Sequence, residues 1–186
     1  MLAILISIRS RHIANIFNGE KLRELRKKFP KHYRGWVYIY CCKDNELLCQ
    51  IDNEWNTIKV IRGAKLKSIY NGKVVARFWV DDVTEYINGG RWNDDNTFGS
   101  YDDYIKDNIC EEACITEEEL FAYSDDLAFS SIHISKLEIF EEPKELNEFW
   151  YCTEKHCIFS ECHKYMHCRK YLKRPPQSWQ YVEVTL

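Results

Sequence analysis

Residues 2–26 read LAILISIRSRHIANIFNGEKLRELR, and the changes of pattern inside this stretch decide the class of fold. Leu2 to Ile8 is a continuous apolar run bounded by charge, which suits a buried strand. Ser10 is placed to cap a short helix, with Ile13, Ile16 and Phe17 on one face and Gly19 closing it. Lys21 to Arg26 then returns to extended structure. Alternation there puts Leu22, Glu24 and Arg26 on one side, and Lys21, Arg23 and Leu25 on the other.

Further along, strands outnumber helices. Trp36 to Cys42 and Lys73 to Val80 are β-rich, and residues 43–71 between them read as an inserted hairpin with turn signals at Asp52-Asn53 and Arg62-Gly63. Asn88 to Asp103 reads as a loop. Thr116-Glu-Glu-Glu119 reads as a helix start, because the Thr can cap and the third Glu can reach back. Leu127 to Phe140 is a long strand, and Gln180 to Val184 a final one. The expectation is one α+β domain over residues 1–186, a β-barrel with short helices, carrying the 43–71 hairpin and a Cys/His-rich insert at 148–170.

Composition narrows the class. The 186 residues are 45% hydrophobic and 30% charged, which argues against both disorder and a membrane protein. The run from Leu2 to Ile6 is too short for a signal peptide or a span, and Arg9 and Arg11 follow it, so a soluble, cytoplasmic protein is expected. Nine cysteines without an export signal favour thiols or metal ligands over a disulfide framework. The net charge of −3 conceals an asymmetry. Residues 1–43 hold ten Lys/Arg against Glu20 and Glu24, whereas residues 81–119 hold thirteen Asp/Glu against Arg91 and Lys106. A polyanion would be drawn to the first segment and repelled by the second. The alternative is that the two segments simply balance each other.

Three segments, in order, carry a family resemblance. The first is Leu5-Ile-Ser-Ile8, a helix, and then Gly19, Lys21, Glu24 and Arg26 in a glycine-x-lysine-x-x-glutamate-x-arginine pattern. The second runs from Gly72 to Asp82, through Ile115 to Leu120, to Ile132–Pro143. The third is Arg174-Pro-Pro-Gln-Ser-Trp-Gln-Tyr-Val182. The chain resembles ASCH domains, in the version carried by phages and prophages of Firmicutes. That resemblance implies a PUA-like β-barrel whose cleft is lined by the motif, in a family thought to bind RNA or DNA, with a few enzymes among its bacterial members.

The expected ligand is therefore a nucleic acid or a nucleotide. Arg9, Lys21, Arg23, Glu24, Arg26, Lys27 and Lys28 are its candidate contacts, and Tyr40 is a candidate stacking face. Glu24 and Arg26 can equally be read as a plain salt bridge between strands. Catalysis ranks below binding. Family members that hydrolyse acylated cytosine nucleosides use the motif lysine, a threonine three residues later and a carboxylate. Here Lys21 matches, Glu24 replaces the threonine, and Glu112 lies near the carboxylate position, so these three are the catalytic candidates of a hydrolase alternative. No nuclease constellation stands out. A third reading is a host-protein partner, with the acidic 81–119 segment imitating nucleic acid. Finally, Cys152, Cys157, Cys162 and Cys168, with His156, His163 and His167 interleaved, suit a zinc ion in a segment poor in aliphatic residues.

Overall fold

Both faces of the first strand are covered, which is why its apolar run is unbroken. In the computed structural model, β1 (Leu2–Ile8) lies between β3 (Gly35–Cys41), to which it is parallel, and β13 (Trp179–Val184), to which it is antiparallel. Ile4, Ile6 and Ile8 point into one core, and Ala3 and Leu5 into another on the opposite face. The structure describes residues 1–50, 58–62, 69–87, 90–92, 97–100, 108–124, 128–151 and 170–184.

The main sheet has six strands. With β6 (Val74–Val80), β11 (Ser135–Lys144) and β12 (Phe149–Tyr151), its order is β11-β6-β3-β1-β13-β12. A second sheet is made of β2 (Arg23–Arg26), β10 (Phe129–His133) and β7 (Val83–Tyr86), in the order β2-β10-β7. The helix α1 (Ser10–Phe17) makes the crossover between β1 and the strands that follow. It buries Ile13 and Ile16 against Ile4, Ile6, Val37, Phe78 and Ile132. A third cluster joins Leu25, Tyr86 and Phe129 to Ala113 of α2 (Cys110–Ala113) and Leu120 of α3 (Glu117–Tyr123). The α+β class is as expected. The described strands do not close into a barrel, because the two sheets remain separate ladders with β11 and β12 at the edges of the larger one. Among the described residues, no helix is long and apolar enough to cross a membrane.

Several local expectations are met. Thr116 and Glu119 form a reciprocal capping box at the start of α3, and Gly19 closes α1 at φ +74°, where a side chain would be strained. The hairpin of β4 (Glu46–Gln50) and β5 (Ile58–Arg62) lies within 43–71, while Asp52-Asn53 and Gly63 fall outside the described residues.

Others are corrected. Ser10 is not the cap of α1. Arg9 takes that position without a side-chain bond, and Asp44 supplies the capping carboxylate from the loop after β3, accepting from the Ser10 N–H at 3.3 Å and from its hydroxyl at 3.2 Å. The expected long strand from Leu127 is two strands. The chain leaves the small sheet at His133 and joins the large one at Ser135, with Lys136 at φ +47°. Apolar alternation marks a strand but not the sheet it joins, and Ile132, Ile134 and Leu137 all reach the same core. The expected loop at 88–103 contains a short ladder of β8 (Gly90–Trp92) and β9 (Phe98–Ser100).

Asn71 ties the hairpin to this frame. Its Nδ2 donates to the Ser10 hydroxyl, to Cys42 O and to Glu46 O, and its Oδ1 accepts from Leu48 N, all within 3.0 Å. Asn71→Ala leaves these groups unpaired and is expected to cost about 1–3 kcal/mol in urea denaturation. A loss below ~0.5 kcal/mol, the level of an ordinary surface change, would show that the hairpin is held by its apolar contacts instead.

Candidate functional site

The turn after α1 delivers a lysine into the interior. Glu20 N and Lys21 N both bond to Asn15 O, and Leu22 N bonds to Glu112 O at 2.7 Å. Strand β2 therefore begins only at Arg23, and the alternation expected from Lys21 onward does not hold there. Lys21 joins the Glu24 side instead. Its ammonium lies 3.5 Å from Glu24 Oε2 and donates to Ala113 O. On the other flank, Arg26 Nη2 donates to Glu24 Oε1 at 2.9 Å and to Ser7 O at 2.7 Å.

Lys21 is 3% exposed and Glu24 6%. Burial alone would push the Glu24 carboxyl up, but Arg26 and then Lys21 outweigh it and hold the group below its ordinary range. A buried carboxylate flanked by two cations leaves one positive charge in excess.

These three side chains line a cavity of about 540 Å³, within the range of small-molecule sites. Ser7 and Arg9 come from the end of β1, Arg11 and His12 from α1, Cys42 from the end of β3, Glu119 and Tyr123 from α3, and Gln177 from the segment before β13. Lys21 and Glu24, which are buried, and Arg26 and His12, which are half-buried, form the floor, while Arg9, Arg11, Glu119, Tyr123 and Gln177 are exposed at the mouth. Arg9 has no ion-pair partner among the described residues, whereas Arg11 pairs with Glu119 at 3.2 Å. The Cys42 thiol is pushed up by burial and by Asp44, so it is a poor nucleophile there.

The remaining candidates fall elsewhere. Arg23 leaves β2 on the opposite face, bonding Glu112 at 2.7 Å and Asp82 at 3.3 Å, so neither Arg23 nor Glu112 lines the cavity. Lys27 lies over the Tyr123 ring at 5.9 Å, beside the mouth. Lys28 is exposed, and its carbonyl accepts from Trp179 Nε1 at 2.6 Å. Tyr40 is buried in the second core, across the main sheet from the cavity. Cys152, Cys157, Cys162, Cys168 and the interleaved histidines lie outside the described residues. Cys41, Cys42, Cys49, Cys110 and Cys114 are free thiols.

Among the described residues, part of the charge asymmetry resolves into internal pairing. Acidic residues from 81–119 meet cations of the first segment at Asp82–Arg23, Asp82–Arg34, Glu85–Lys31, Glu112–Arg23 and Glu119–Arg11. Asp81 pairs with His133 at 2.6 Å. These acids balance the chain's own cations.

His12 is one of several lining residues, with Arg11, Glu119, Tyr123 and Gln177, that were not among the candidates from sequence. One residue from the apolar stripe of α1, it carries no motif, and only the fold brings it to Lys21 and Glu24. Burial, reinforced by Lys21, lowers its pKa from 6.5 to about 4. Between those values the unfolded chain binds a proton that the folded chain does not, so stability falls as pH drops from 6.5 toward 4. His12→Phe is expected to flatten the thermal midpoint across that window. Parallel pH profiles for the two proteins would contradict the buried, neutral His12.

Comparison with known proteins agrees with the architecture. No family model matches the sequence, and no curated protein matches it. Solved structures do. The crystal structure of ASCH from Zymomonas mobilis superposes with a TM-score of 0.55 at 12% identity, covering 97% of this chain and 87% of that one. Two single-substitution mutants of the same protein, tyrosine to phenylalanine and serine to alanine, give 0.54 and 0.53 at 11% identity, each covering 97% of this chain and 90% and 88% of theirs. The resemblance first carried by three short segments thus extends over nearly the whole backbone, and the chain has the ASCH fold.

Proposed function

We propose that this protein is a binding module for nucleic acid or a nucleotide, and that the ligand is held in the cavity at Lys21, Glu24 and Arg26. The observation that carries this reading is the buried charge triad at the cavity floor. Burying three ionised side chains is costly, and a stable fold does not require it, since apolar residues of similar volume often serve equally well. A concave site that retains them, with a net positive charge and an exposed arginine at its mouth, suits an anionic ligand with polar edges.

The mouth adds the features that nucleotides use. Arg9, without an ion-pair partner among the described residues, offers its guanidinium to a phosphate. Tyr123 offers an exposed ring on which a base can stack, with Lys27 beside it. Binding is favoured over hydrolysis because both Glu24 oxygens and the Lys21 ammonium are already engaged, and the cavity thiol is pushed up. A hydrolase needs a nucleophile or base free to act.

Arg9 is exposed, so changing it tests binding without disturbing the core. Arg9→Glu is expected to weaken a short single-stranded oligonucleotide about tenfold in low salt, and to reduce the slope of log affinity against log salt by about one. Lys28→Glu, exposed and outside the cavity, should have a smaller effect. The measurement is fluorescence anisotropy over a salt series. Equal effects of the two substitutions, or affinity indifferent to salt, would remove the cavity from the account.

A further inference from the structure

We infer that the Arg11–Glu119 ion pair at the cavity mouth is an exchangeable gate, in which Glu119 occupies the place on Arg11 that a phosphate of the ligand takes over. This rests on the nucleotide-binding reading above and adds Arg11 as a ligand contact and Glu119 as its internal competitor.

The pair differs from the others that line the cavity. In Lys21–Glu24 and Arg26–Glu24 no side chain is more than 12% exposed, and both cations are also held by backbone carbonyls. Arg11 and Glu119 are 45% and 43% exposed. They join two walls of the cavity, α1 and α3, through a bond from Arg11 Nη2 to Glu119 Oε1 at 3.2 Å. That is longer than the ~2.7–2.9 Å usual between charged partners. Arg11 Nε makes only a long bond, 3.4 Å, to His12 Nε2. An exposed pair of this kind shifts an equilibrium by at most about fivefold, so a ligand can break it at small cost.

Glu119 is tethered independently of Arg11. Its Oε2 accepts from Thr116 N at 3.2 Å, and its own N–H donates to Thr116 Oγ1 at 3.1 Å, the capping box of α3. The Thr116 N–H, ahead of Arg11, also holds the Glu119 carboxyl below its ordinary range. The carboxylate therefore stays ionised and in place when Arg11 leaves it. The guanidinium, on a long side chain without a second strong bond among the described residues, is the partner that moves.

The incoming group follows from the chemistry of the pair. A carboxylate on a guanidinium fills the position that a phosphate also fits, and a phosphate can engage the fork through two parallel bonds where Glu119 uses one. Arg9, exposed at the same mouth, adds attraction for a ligand phosphate. A ligand without a phosphate has nothing to set against Glu119 and leaves the pair closed. The gate thus selects for charge at the mouth, whatever group occupies the floor.

The test is a double-mutant cycle on the full chain, read by fluorescence anisotropy of one short single-stranded oligonucleotide in about 0.1 M salt. Glu119→Gln removes the competing charge and keeps the cap, because glutamine also serves at that position. It is expected to tighten binding about three- to fivefold. Glu118→Gln removes the same charge from the same helix without touching the cavity lining, and should tighten binding less than about twofold. Arg11→Gln is expected to weaken binding, and in that background Glu119→Gln should do no more than Glu118→Gln does. Tightening by Glu119→Gln that persists undiminished without Arg11 would mean general repulsion and overturn the gate. Weaker or unchanged binding in Glu119→Gln would overturn it too, leaving the pair a clasp between α1 and α3 and the nucleotide-binding reading intact. No binding by any of these proteins would end both readings.

Discussion

Glu24 is the group on which the site depends. Its carboxylate is buried between Lys21 and Arg26, and each cation is anchored in turn to a backbone carbonyl, Ala113 O or Ser7 O. One charge cluster therefore ties the turn after α1, strand β2, helix α2 and the end of β1. Removing one partner of such a cluster leaves an uncompensated buried charge, at a cost of about 3–5 kcal/mol. The same arrangement fixes the electrostatics of the cavity. With Glu24 held ionised, the two cations are oriented rather than neutralised, and the floor keeps its excess positive charge.

The rest of the charge distribution sharpens this picture. Arg11, Arg23, Lys31 and Arg34 belong to the basic first segment of the sequence, and all four are matched by acids from 82–119. Exposed pairs of this kind contribute little to stability. Their consequence is that part of the positive charge outside the cavity is balanced, while the cavity keeps an excess of its own.

Much of the fold was legible because its signals are local. An unbroken apolar run requires cover on both faces, and β1 has it. The capping box at Thr116, the Gly19 turn and the spacing of Glu24 and Arg26 likewise follow from short-range geometry. What escaped reading depends on where chains meet. Lys21 joins Glu24 because the strand starts two residues late, a shift set by the bonds of the turn to Asn15 O and Glu112 O. Tyr40 has the composition of a stacking residue but sits on the wrong face of the main sheet. His12 lies beside the apolar stripe of α1 and belongs to no spacing, so only the folding of α1 beside the cavity, where it meets Lys21 and Glu24, gives it a role. Asp44 caps α1 across 34 residues of sequence, a contact that no local pattern encodes.

The claim at the centre of this account is that ligand enters the cavity floored by Lys21, Glu24 and Arg26. Amide chemical-shift mapping with a short single-stranded oligonucleotide tests it most directly. The account predicts that the largest shifts fall on Ser7, Arg9, His12, Lys21, Arg26 and Tyr123, with Tyr40 and Val182 on the far face of the main sheet unmoved. Shifts centred on Tyr40 and Val182, with Lys21 and Arg26 silent, would contradict it.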